Sequence, residues 1–189
     1  MAFDAYLKFV TPYVVGEITL GDGYTPAKET NKSGWIDLEE YSFSATMAVS
    51  PARSSGTGAA TTGKGKLEPF TFKKFVDATS MHLAFHASAG TVFEKIVVNL
   101  FASLTEGGSS HKPYQFLSIV MQGAVINSCK FSGGGGDELP TEELSIAYGA
   151  IEYEYKPFKV NEDTGAITPG AGGLTTVKWN TIKNTGTKS

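Results

Sequence analysis

The chain has 189 residues, 41% of them hydrophobic and 19% charged, with a net charge of -3. That length suits one domain with short appendages and a genuine core. The acidic balance argues against a nucleic-acid partner, which would call for a basic excess, and no run approaches the roughly 18 apolar residues of a membrane-inserting helix.

Taken in chain order, the opening Met-Ala-Phe-Asp-Ala-Tyr-Leu-Lys-Phe lacks the basic, apolar and cleavage regions of a secretory leader. Residues 5–10 and 35–38 read as strands. Tyr41, Phe43, Ala45, Met47 and Val49 alternate with small polar residues, the pattern of a strand with one buried face. Residues 50–66 contain almost no large apolar side chain and read as a loop, longer than a strand connection needs. Residues 70–75 return to strand. Residues 81–89 read as the single helix, with Ser80 as N-cap, Gly90 as stop and Leu83 on its apolar side.

Further strands follow. Ile96, Val98, Leu100 and Ala102 share an apolar face, with Lys95 and Asn99 opposite. Leu117, Ile119 and Met121 do the same, with Ser118 and Gln122 opposite. Residues 124–131 are another strand candidate, and residues 107–112 and 133–136 are turns. Leu144, Ile146 and Tyr148 share one parity; Ile151, Tyr153 and Tyr155 share the other, with Glu152 and Glu154 opposite. Gly149 stands at the slip, so a bulge or barrel corner is expected there. Beyond Pro157 the chain is rich in Gly and Thr and reads as a link to a short terminal strand around Val177, Trp179 and Ile182. The expected division is therefore a β domain over 1–157 and a C-terminal extension over 158–189. Many short strands punctuated by turns argue for a mainly β sandwich or barrel.

The chemistry-bearing patterns are weak. Gly58 to Lys64 matches GxxxxGK, but Gly65 replaces the Mg²⁺-holding Ser or Thr and no helix signal follows, so no nucleotide cofactor is expected. His82 and His86 share a helix face, yet the Glu of a metalloprotease motif is missing and no third ligand stands near, so no metal is expected. Asp137, Glu138, Glu142 and Glu143 cluster around Pro140 and read as solvated or paired with basic groups, not catalytic. Cys129 is the only cysteine and reads as a small buried hydrophobe. No catalytic residues are expected and the chain does not read as an enzyme.

The run GGGGDELPTEELSIAYGAIEYEY, residues 133–155, resembles the signature of Hcp, the tube protein of type VI secretion. Asp137, Leu139, Pro140, Glu142, Ile151 and Tyr155 sit at its positions. Other pieces agree in order: Gly16-Glu17, Trp35, a Gly/Thr/Ser-rich loop, then Asp77, Ser80, Leu83 and Gly90. The resemblance implies a two-sheet β-barrel with one short flanking α-helix. It also implies a homo-hexameric ring, stacking of rings into a tube, a contractile sheath and a spike protein as partners, and small effector proteins in the lumen. Such a protein is assembled in the bacterial cytoplasm and expelled without a signal peptide. The family places a loop corresponding to Arg53, Ser54, Ser55, Thr57, Thr61, Thr62 and Lys64 at the face where rings stack, with Asp137, Glu138 and Glu142 as candidate acidic partners for Arg53 and Lys64. Two other readings fit a β-rich chain: a phage-type tail tube protein, and a monomeric β-sandwich binding module.

Overall fold

The computed structural model describes residues 3–50, 61–102, 113–136, 139–161 and 167–189. In chain order they form β1 (Phe3–Thr11), β2 (Ile18–Thr19), β3 (Ser33–Asp37), β4 (Glu40–Ser42), β5 (Ala45–Ser50), β6 (Thr61–Leu67) and β7 (Phe70–Phe75). Then come α1 (Ser80–Ala89), β8 (Val92–Ala102), β9 (Tyr114–Ser132), β10 (Thr141–Tyr155), β11 (Phe158–Val160), β12 (Ile167–Pro169), β13 (Thr175–Asn180) and β14 (Thr185–Lys188). The chain is mainly β with one short helix on the flank.

The long strands β8, β9 and β10 form an antiparallel meander. β1 lies beyond β8, and β3 and β2 lie beyond β1. The free edge of β10 is shared. Residues 141–146 pair with β7, and residues 150–155 pair with β13, which β14 follows. β4 adds to β7. The hydrogen-bonded ladder does not close, because β3 and β4 are separate strands. The chain passes from the β1 edge to the β7 edge through two bonds, Leu38 N–H to the Ala5 carbonyl and Glu39 N–H to the Lys73 carbonyl, both 2.9 Å.

Period-two alternation fills the interior. Leu7 and Phe9, Phe70 and Phe72, Ile96, Val98 and Leu100, Ile119 and Met121, and Leu144, Ile146 and Ile151 meet in one core, with Leu83 of α1 inserted among them. Each fully buried aliphatic or aromatic side chain of this kind contributes about 1.5–3 kcal/mol.

Four local expectations are corrected. The strand around residues 41–49 breaks at Phe43 and Ser44, where the chain leaves β7 to begin a separate two-stranded hairpin, β5–β6. Phe43 anchors that break, stacked 6.2 Å from Phe70 and 5.4 Å from Tyr153. The expected loop over 50–66 is therefore too long, since residues 61–67 are strand. A backbone ladder holds β6, and its Thr, Gly and Lys residues gave no apolar alternation to reveal it. Likewise β9 is one long strand through residue 123, not two. Beyond Pro157 the chain forms two hairpins, β11–β12 and β13–β14, and Ile182 lies exposed in the turn of the second.

The corner expected at Gly149 is shared out differently. The register shift lies at Ser145/Ile146, where Asn127 of β9 is the extra residue. The left-handed residue is Gly123 of β9, φ 55°, which lies across from Gly149. Gly149 marks the handover from β7 to β13. Its carbonyl accepts the Thr181 N–H at 2.9 Å and the Thr181 hydroxyl at 2.6 Å. A side chain at Gly123 must occupy the left-handed region, so Gly123→Ala is expected to cost about 1–2 kcal/mol. Gly149→Ala should cost less, because its Cβ meets first the tip of the exposed Ile182 at 3.3 Å. Urea unfolding of the two variants measures the difference.

Candidate functional site

Lys74 of β7 and Glu142 of β10 stand directly opposite each other. Each has the parity of its strand's buried residues, Phe70 and Phe72 on one side and Leu144 and Ile146 on the other. The pleat therefore aims both charges inward, leaving them 1% and 0% exposed. A buried charge is tolerated only when paired and fully hydrogen-bonded. Lys74 Nζ lies 2.7 Å from Glu142 Oε1 and 2.8 Å from Asp77 Oδ1, and it donates to the Phe75 carbonyl at 2.7 Å. An ammonium has three hydrogens, and these acceptors saturate it.

The helix start is built onto this pair. The Ser80 hydroxyl donates to Glu142 Oε1 at 2.7 Å and accepts the Asp77 N–H at 2.9 Å. Asp77 Oδ1 accepts the Thr79 N–H at 2.8 Å and the Thr79 hydroxyl. The expected N-cap is thereby corrected. Thr79 occupies the cap position without a side-chain cap bond, and Ser80 is the first helical residue with its hydroxyl turned inward. Burial pushes the Asp77 carboxyl up, but the Lys74 ammonium and the Thr79 donors outweigh it and hold it below the usual carboxylate range. Two further contacts tie in distant segments. The Glu17 carboxylate accepts the Ala78 N–H, and the Pro140 carbonyl accepts the Val76 N–H, each at 3.0 Å.

Glu17, Asp77, Ser80, Pro140 and Glu142 thus converge on one junction, with Leu83 packed into the core beside it. Lys74, which was not singled out, is its hub. The signal was present: Phe70, Phe72 and Lys74 share one parity, so a lysine falls on the buried face. Gly16 and Trp35 form an adjoining contact. A Cβ on Gly16 would overlap the Trp35 carbonyl, and the Trp35 indole is wholly buried, donating to the Asn31 carbonyl at 3.0 Å. Gly90 closes the helix in the left-handed region, φ 63°, where the Thr91 N–H reaches the His86 carbonyl at 3.1 Å.

The remaining candidates lie elsewhere. Ile151 is in the core, Tyr155 is exposed at the end of β10 and Leu139 is exposed before it. Asp137, Glu138, Arg53, Ser54, Ser55 and Thr57 lie outside the described residues. Thr61, Thr62 and Lys64 run along β6. Glu142 is corrected as a surface partner for the loop, since it is buried and engaged by Lys74 and Ser80. The residues after Gly63 continue as strand, so no helix N-terminus faces the GxxxxGK-like run. His86 Nδ1 is 3.0 Å from the Thr91 hydroxyl, while His82 is exposed. Burial pushes the Cys129 thiol up. Among the described residues no group of three or more His, Cys, Asp or Glu is placed to hold a metal, and no helix is long and apolar enough to cross a membrane. Chemically, the junction is an ionic lock in which the Lys74 ammonium is saturated, while Glu142 Oε2 is buried with no hydrogen-bond partner among the described residues. It fixes α1, the residue 16–17 loop and the start of β10 to one another.

Residues 17–155 match the family described as Type VI secretion system effector, Hcp. Protein hcp1 of Pseudomonas aeruginosa is 23% identical over 109 residues, which is 57% of this chain and 64% of that relative, so the match spans less than two thirds of its length. The solved structure of a type six secretion system protein has a TM-score of 0.73 at 25% identity, covering 98% of this chain and 100% of that one. The crystal structure of Hcp1 from Salmonella typhimurium has a TM-score of 0.64 at 14% identity, covering 99% and 100%, a likeness of fold. The family match takes in the whole junction from Glu17 to Glu142, and the chain belongs to the Hcp family of type VI secretion.

Proposed function

We propose that this protein is a non-enzymatic subunit of a type VI secretion inner tube. The observation that carries the reading is the family match over residues 17–155. Six copies would close head-to-tail into a ring, as heterologous contacts do when their rotation closes. Rings would stack into a tube inside a contractile sheath, capped by a spike protein, and small effectors would travel in the lumen. Assembly would take place in the bacterial cytoplasm, followed by expulsion from the cell.

The hairpin β5–β6 supports a role for the segment between its strands, because its ladder is separate from that of the main sheet. Arg53, Ser54, Ser55, Thr57, Thr61, Thr62 and Lys64 would supply the stacking contact. Individual exposed pairs contribute only about 0–1 kcal/mol, so repetition around a ring would supply the strength. Replacing residues 52–60 with a short Gly-Ser turn spares both strands of the hairpin. It is expected to leave the ring intact while abolishing tubes and secretion. Electron microscopy of the purified variant decides the matter, and long tubes from the shortened protein would remove the loop from the stacking contact.

A further inference from the structure

Residues 21–32 cross the outer face of the sheet as a strap whose base is pinned by the Leu20 N–H on the Lys32 carbonyl, 2.9 Å. Beneath it runs a cross-strand row of mutually opposite residues, Tyr6, Asn99, Ser118, Glu154 and Thr176. Sheet side chains bind the main chain of the strap. Gln115 Oε1 accepts the Ala27 N–H at 2.7 Å, and Asn99 Nδ2 donates to the Ala27 carbonyl at 3.2 Å. Gln115 Nε2 also donates to Asn99 Oδ1 at 3.1 Å, so each amide fixes the other's orientation. Lys95 Nζ donates to the Lys28 carbonyl, and the buried Lys8 donates to the Asn31 carbonyl at 3.0 Å.

The next side chain is held as well. Lys28 Nζ bridges Glu152, at 3.0 Å, and Glu154, and Glu152 pairs on its other side with Lys178 of β13 at 3.1 Å. Lys28 itself sits at φ 65°, a left-handed backbone that a lysine adopts only when its surroundings impose it. Ser118, 1% exposed between Asn99 and Glu154, has a hydroxyl with no hydrogen-bond partner among the described residues.

An amide pair that takes both the N–H and the C=O of one residue, beside two carboxylates that trap the following ammonium, is a recognition site for polypeptide main chain. We propose that the outer face of β8–β10 is a binding slot for an extended peptide carrying a small residue followed by lysine or arginine. At rest the chain's own residues 24–32 fill it. A tethered ligand acts at an effective concentration in roughly the millimolar range, so the slot is self-inhibited until the strap lifts. The slot lies within one chain and does not depend on the tube reading.

The test uses a chain in which residues 22–31 are replaced by a Gly-Ser linker, and a fluorescein-labelled synthetic peptide of residues 22–32. Fluorescence anisotropy is expected to show binding to the strap-less chain about tenfold or more tighter than to the full chain. Glu154→Gln in the chain, or Lys28→Gln in the peptide, is expected to weaken it roughly tenfold, the scale of one charge-assisted hydrogen bond. A folded strap-less chain that binds the peptide no better than a scrambled one overturns the proposal. If that chain does not fold, Lys28→Asp in the full chain decides, because Glu152 and Glu154 then repel the strap. Binding above the wild-type level supports the slot, and binding equal to wild type overturns it.

Discussion

Lys74→Met is expected to destabilise the protein by about 3–5 kcal/mol, the cost of leaving a buried charge without its partner. The substitution keeps most of the side-chain volume, so the loss is electrostatic. Glu142, fully buried, keeps only the Ser80 hydroxyl on Oε1, and Asp77 loses its cation. For a chain of this size each kcal/mol moves Tm by about 2–4 °C, so a fall of about 6–20 °C is expected. Adding Glu142→Leu should recover part of the loss, because an apolar pair replaces an unpaired carboxylate. The pH dependence has a definite sign. The folded-state value of Asp77 is depressed, so its contribution is present above the ordinary carboxylate value and is lost as pH falls through the folded one. In Lys74→Met the Asp77 carboxyl loses the cation that holds its folded value down. The gap between wild type and variant should therefore narrow below about pH 4. Thermal unfolding across pH measures both effects, and a constant gap would mean that the Asp77 carboxyl does not feel Lys74.

Gly16→Ala is the second large effect. Its Cβ would overlap the Trp35 carbonyl and crowd the Gly34 carbonyl at 2.7 Å, and both neighbours are backbone, with no flexible tip to swing away. Gly34 cannot yield easily, since it lies at φ 79° beneath the Tyr13 hydroxyl. Relief requires β3 to shift, and β3 carries the buried Trp35 and Ile36. Forced backbone movement of this kind costs about 1–3 kcal/mol, and more where the neighbours are rigid. The expected result is a lower urea midpoint together with red-shifted tryptophan emission as Trp35 meets water. An unchanged emission maximum would place the strain elsewhere.

Much of the fold was legible because alternation records which face of a strand is buried. The core strands over 70–75, 96–102 and 117–121 emerge directly from that pattern, and the helix over 81–89 from its flanking Ser80 and Gly90 and the apolar side that carries Leu83. What alternation cannot record is what covers the other face. Asn99 and Ser118 stand opposite the apolar faces, yet both are buried, with residues 21–32 crossing that side, and polar residues beneath a polar strap leave the same trace as polar residues in water. Strand β6 was invisible because a backbone ladder needs no apolar side chain. The junction was half legible. Glu17, Asp77, Ser80 and Glu142 stood out by resemblance, whereas Lys74 and Glu142 could also have been found by parity, as charges in phase with Phe70, Phe72, Leu144 and Ile146. The N-cap was misassigned because Ser80 serves Glu142, a partner 62 residues away that no local motif reveals.

Six copies of this chain are proposed to close into a ring. Light scattering coupled to gel filtration of the purified protein at micromolar concentration tests it most directly. A ring of six 20.1 kDa chains has a mass of about 121 kDa, and a single peak at that mass is the predicted result. A clean peak at 20.1 kDa, unchanged on concentration, would contradict it.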